Sequence, residues 1–206
     1  MITIIDYEAG NLKSVYNAFE AVGHTPTVTS NASDLKKAAA IVLPGVGAFG
    51  KGMEALKRIN VIDALNEQVL VKKKLYLGIC LGMQFLAGKS EEIGLHSGLG
   101  WIDSQVKLIR PESPKFKVPH MGWNNVEIKN RNPLFEKLEA EPVFYFVHSY
   151  FLDLKDDPSD SVSATCWHGA PITASVQKEN IFGVQFHPEK SQRAGLRLLE
   201  NFVKLI

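Results

Sequence analysis

Over the first 87 residues, short apolar runs alternate with segments whose apolar residues recur at helical spacing, and this alternation constrains the fold more than any other feature. "MITIID" is a strand-like run that stops at Asp6. "GNLKSVYNAFEAVG" then carries Leu12, Val15, Ala18, Phe19 and Val22 on one helical face and ends at Gly23, a suitable C-terminal cap. "TPTVTS" and "AAAIVLPG" read as the next strands, with a short helix over "SDLKKA" between them. A further helical pattern covers about residues 51 to 73, and "KLYLGI" is another buried strand leading into the helical "LGMQFLAG". Consecutive strands separated by helices pair in parallel, because a parallel connection has to cross the sheet and a helix makes that crossing.

From residue 99 the pattern changes to strand-like segments: "LGWIDSQVKLI", "WNNVEI", "PVFYFVHSYF", "SVSATCWHG", "PITASVQKEN" and "IFGVQFHPE", with one short helical candidate at "NPLFEKL". They are expected to extend the sheet with antiparallel or mixed strands. "SQRAGLRLLENFVKLI" closes the chain with Leu196, Leu199, Phe202, Val203 and Ile206 on one apolar face. The expectation is one three-layer α/β domain over residues 1–206, its central sheet mostly parallel with an antiparallel extension. Its ligand site should lie at the carboxyl ends of the strands.

At 206 residues and 45% hydrophobic content the chain can bury one sizeable core. A formal net charge of +1 argues against nucleic acid or an anionic membrane as the main partner, and "VKKKL" at 71 to 75 reads as the solvated end of a helix. Two cysteines make no disulfide framework, no His and Cys cluster has metal-ligand spacing, and no apolar run approaches membrane-spanning length. With no leader-like start, these features point to a soluble cytoplasmic protein without metal or cofactor.

"LYLGICLGMQFL" places Cys80 between Gly78 and Gly82, on the turn from strand to helix. Gly-x-Cys-x-Gly is the thiol counterpart of the Gly-x-Ser-x-Gly nucleophile elbow, and a sulfur at a helix N-terminus is favoured as thiolate. A buried structural cysteine beside packing glycines is the alternative; Cys166, which lacks the glycine bracket, is read that way. A cysteine nucleophile needs a base and a group to orient it. "FGVQFHPEKS" supplies His187 and Glu189 two residues apart on an extended segment, hence on one face. "IVLPGVGAFGKG" brings glycines that can turn backbone N–H groups toward a ligand. It lacks the lysine and hydroxyl of a Walker loop, so an oxyanion hole fits better than a phosphate cradle: Val46 or Gly47 on one side, Leu81 on the other.

Together these motifs resemble the class I (triad) glutamine amidotransferases. "IIDYEAGNLKSV", "LPGVGAFG", "GICLGMQ", "VPHMGWNNV", "FVHSYF" and "FHPEKS" narrow the resemblance to the glutaminase subunits of imidazole glycerol phosphate synthase, over nearly the whole chain. The resemblance implies a flavodoxin-like fold and a Cys80, His187, Glu189 triad that hydrolyses glutamine through a γ-glutamyl thioester. It implies glutamine binding by Gly47, Gln84, Ser149 and Tyr150, although Gln84 by pattern alone would be an exposed helix residue. It implies a separate cyclase subunit that receives the ammonia and makes imidazole glycerol phosphate and AICAR. That partner would be faced by Asn11, His120, Met121, Trp123, Tyr145 and Lys190, though Trp123 also reads as a core tryptophan. A low resting activity, set by the "PGVG" loop, would complete the family pattern. The rivals are a stand-alone cysteine hydrolase or peptidase on a related scaffold and a non-catalytic binding subunit.

Overall fold

Alternate residues of the central strands pack into two different apolar layers, one on each face of the sheet. In the computed structural model, which describes residues 1–130, 132–154 and 161–206, β1 (Ile2–Ile5), β2 (Thr27–Thr29), β3 (Ala40–Gly45) and β4 (Leu75–Cys80) run parallel. Ile2, Ile4, Ala40, Val42, Leu77 and Ile79 point to one side, where α1 (Leu12–Ala21) and the C-terminal helix pack. Ile5, Ile41, Leu43 and Tyr76 point to the other, against α2 (Phe49–Arg58), α3 (Ile62–Leu65) and the turn α4 (Leu81–Gln84). A period of two on the strands and an apolar stripe on each helix thus produce the three expected layers.

The remaining strands are β5 (Lys89–Ser90), β6 (His96–Ser97), β7 (Gln105–Leu108), β8 (His120–Asn125), β9 (Glu127–Ile128), β10 (Val143–His148), β11 (Tyr150–Asp153), β12 (Val162–Trp167), β13 (Pro171–Lys178) and β14 (Ile181–Val184). Among the described residues the main sheet has the order β2-β1-β3-β4-β14-β13-β12-β9. β14 lies parallel to β4, and β13, β12 and β9 follow antiparallel. The last helix, α5 (Gln192–Val203), closes the α1 side with Leu198, Leu199 and Phe202.

Three expectations need correction. Only part of the second half extends the main sheet: β8 pairs with β10, and β5, β6, β7 and β11 form a third sheet. "PVFYFVHSYF" is therefore two strands divided at Ser149, each pairing with a different partner. The helical pattern over 51 to 73 is broken after Arg58, where Asn60 takes a positive φ of 52°, and resumes as α3 with a π-helical continuation over Asn66–Val71. The helix after Cys80 lasts one turn.

Candidate active site

β3 and β4 end side by side, with Gly45 opposite Cys80 in register, and β14 on the far side of β4 runs on into Gln185 and His187. The carboxyl ends of three parallel strands thereby converge on the sulfur. Cys80 has φ +55° and ψ −109°, a conformation that a side chain rarely adopts. The glycines around it have a measurable reason. A Cβ on Gly82 would lie 1.7 Å from the Leu43 carbonyl oxygen, and one on Gly78 would lie 2.5 Å from that of Gly82. Only a glycine bracket lets the turn close this tightly against β3.

His187 is buried, with Nδ1 2.7 Å from Oε1 of Glu189, whose side chain is 1% exposed. Burial disfavours the imidazolium, but hydrogen bonding to Cys80 and Glu189 and the charges of both outweigh it, raising the imidazole to about 10. Nε2 nonetheless makes no hydrogen bond of ordinary geometry and is buried, as is Oε2 of Glu189. Catalytic hydrogen bonds are often long or poorly aligned in unliganded sites and tighten around substrate. Cys166 differs: burial alone pushes its thiol up to about 12, and it lies in the core of the α1 side.

Beside Cys80 opens a cavity of about 420 Å³ lined by Val46, Gly47, Leu81, Gln84, Glu92, Ser149 and Tyr150 among others. It therefore joins the residues expected for the oxyanion and for glutamine. Gly47 has φ +93°, consistent with a loop that glycine must supply. Gln84 does not occupy an exposed helix face: it is 4% exposed, and its Nε2 donates to the Tyr150 carbonyl at 2.8 Å and to Oε1 of Gln185 at 3.0 Å. Two residues of the site escaped the sequence reading. Gln185, fully buried, donates through Nε2 to the Cys80 sulfur at 3.6 Å. Glu92 brings a carboxylate to the cavity and uses Oε2 to accept the Phe49 N–H at 2.7 Å.

The residues expected to face a partner divide. Met121 and Trp123 are 63% and 49% exposed on β8, so Trp123 is not a core residue. Tyr145 lies across from Trp123 on β10 with ring centroids 5.9 Å apart, and exposed Lys190 sits 5.7 Å over the Tyr145 ring. The Tyr145 carbonyl accepts the His187 N–H at 2.9 Å, tying this surface to the site. Asn11 is half-buried at the start of α1. His120 does not join the surface. It is 3% exposed, stacked between Phe146 and His168, with Nδ1 3.1 Å from Nε2 of His148. The pleat that turns Met121 and Trp123 outward turns His120 inward. Among the described residues no group of His, Cys, Asp and Glu could hold a metal ion, and no helix is long and apolar enough to cross a membrane.

The family pattern "Glutamine amidotransferase class-I" matches residues 3–206. The chain is 49% identical over 205 residues to imidazole glycerol phosphate synthase subunit HisH 1 of Campylobacter jejuni (strain RM1221), covering 100% of both. It is 44% identical over 207 residues to subunit HisH 2 of Pseudomonas aeruginosa PAO1, again covering 100% of both. The solved structure of PurLQS from Thermotoga maritima superposes with a TM-score of 0.75 over 99% of this chain and 97% of that one, at 19% identity, a likeness of fold.

Proposed function

The chain belongs to the class-I glutamine amidotransferases, among the HisH subunits of imidazole glycerol phosphate synthase, and from that premise we propose that it hydrolyses L-glutamine at Cys80 and passes the ammonia to a separate cyclase subunit. The observation that carries the proposal is a thiol on a strained backbone at the cavity wall, beside a buried imidazole that is paired with Glu189 at 2.7 Å. Cys80 Sγ gives its proton to Nε2 of His187 and attacks the side-chain carbonyl carbon of glutamine. The carbonyl electrons move onto oxygen, where backbone N–H groups of Leu81 and of Val46 or Gly47 receive them. As the C–N bond breaks, the imidazolium of His187 gives its proton to the leaving nitrogen, releasing ammonia and leaving a γ-glutamyl thioester. His187 then takes a proton from water, hydroxide adds to the thioester, and cleavage of the C–S bond frees glutamate. Glu189 fixes the imidazole by holding Nδ1, which leaves Nε2 for the reaction.

In the cavity, both N–H groups of Gln84 are engaged, so its carbonyl is the group left for substrate. It accepts from the substrate ammonium together with Glu92, while the Ser149–Tyr150 segment meets the carboxylate end. The exposed surface of Met121, Trp123, Tyr145 and Lys190 docks the cyclase, which uses the ammonia to make imidazole glycerol phosphate and AICAR. A partner that biases the 44–47 loop toward or away from an oxyanion donor would gate the rate, one donor being worth on the order of a hundred- to a thousandfold. Acid quenching during turnover with labelled glutamine tests the covalent step: label should remain on the peptide containing Cys80. Label elsewhere, or none despite glutamate release, would rule the thioester out.

A further inference from the structure

The one-turn helix after Cys80 is too short to supply a large dipole, yet the sulfur has a second donor close by. The Tyr150 carbonyl, which can only accept, fixes the orientation of everything beyond it. It takes one N–H of Gln84 at 2.8 Å and a ring N–H of His148, also at 2.8 Å. Gln84 must therefore present nitrogen there, and its second N–H meets Gln185 at 3.0 Å, so Gln185 must present oxygen. The nitrogen of Gln185 is then left to face Cys80 Sγ, 3.6 Å away. Reversing either amide would set donor against donor or acceptor against acceptor. Gln185 is itself fully buried and anchored by its main-chain N–H on the Ala174 carbonyl at 2.9 Å.

We propose that Gln185 is a positioning residue of the site: its side-chain amide aims an N–H at the Cys80 sulfur while its carbonyl turns that of Gln84 toward the substrate's ammonium. This rests on the reading of Cys80 as nucleophile. A donor on sulfur stabilises thiolate over thiol, and hydrogen bonds to a charged group are the stronger ones. The other titratable groups on or beside Cys80 are Tyr7, His187 with Glu189 behind it, and Glu92 and His148 on the wall of the same cavity, and all of them are kept in both variants at Gln185.

Two substitutions separate the two tasks. Gln185→Leu removes both. Gln185→Glu still offers Gln84 an acceptor but loses the donor to sulfur and sets a carboxylate against the thiolate. The rate of Cys80 alkylation by iodoacetamide is followed against pH in each folded variant, and glutamine turnover is measured in the complex with the cyclase. The midpoint of alkylation should rise by about one pH unit or more in the Leu variant and further in the Glu variant. In turnover, Gln185→Glu should lower kcat by about tenfold or more at nearly unchanged KM, whereas Gln185→Leu should also raise KM. If Gln185→Leu does not fold, Gln185→Met, closer in shape, takes its place. Alkylation profiles that superpose on that of the unsubstituted protein, or equal rises in KM for both variants, would overturn the proposal. An inactive unsubstituted complex would defeat the underlying glutaminase reading, while the alkylation profiles would still decide whether Gln185 acts on the sulfur.

Discussion

At φ +55°, Cys80 carries backbone strain that an ordinary structural thiol would have no reason to bear. Cys80→Gly should therefore raise stability, by about 1 kcal/mol in urea unfolding, while abolishing glutamine turnover. Equal or lower stability would mean that the turn is not strained by its side chain. Glu92 offers a second test. Glu92→Gln keeps an oxygen for the Phe49 N–H but removes the charge that the proposed reading sets against the substrate's ammonium. KM should rise about tenfold with kcat little changed; an unchanged KM would move the ammonium elsewhere in the cavity. The sequence displayed the elbow and the His-Pro-Glu segment because their geometry is local, a glycine bracket and a two-residue spacing. Gln185 and Glu92 were not legible, since their roles arise from contacts across 105 and 43 positions of chain that no local pattern encodes.

Among the elements, the pairing of β8 with β10 buries His120 against His148. Burial, reinforced by neighbouring histidines, lowers His120 to about 3. Burial also lowers His148 to about 4, against a partly opposing hydrogen bond to the Tyr150 carbonyl. Both rings are held neutral, so the unfolded chain binds more protons than the folded one once pH drops below about 6.5. Their contribution to stability is thus present above that pH and is lost progressively as pH falls toward the folded-state values. The melting temperature should decline on acidification below about pH 6.5, and His120→Phe, which keeps the stack on Phe146, should flatten that decline. An unaltered slope would show that this pair does not set it. The inward turn of His120 was available in the sequence, because "HMGW" alternates and Met121 and Trp123 cannot share its face. The division of "PVFYFVHSYF" into two strands was not, since only the choice of partners, β8 for one and β7 for the other, makes the break.

For the whole molecule, the parallel half of the main sheet was legible from alternating periods, and the third sheet was not, because β5 and β6 have only two residues each and β11 joins β7 from beyond the β8 and β10 pair. The aromatic surface of β8 and β10 lies one backbone hydrogen bond from His187, and the proposed docking of the cyclase rests on it. Trp123→Ala should leave the fold intact and weaken binding of the cyclase by about tenfold or more in calorimetric titration. Unchanged affinity would place the docking surface elsewhere. Glutamate release from glutamine should be measured for the chain alone, for the chain with its cyclase and cyclase ligand, and for Cys80→Ala in the same mixture. Release that is low alone, rises at least a hundredfold with the liganded cyclase and disappears in Cys80→Ala is the predicted result. Release that persists in Cys80→Ala, or that is absent from every mixture, would contradict it.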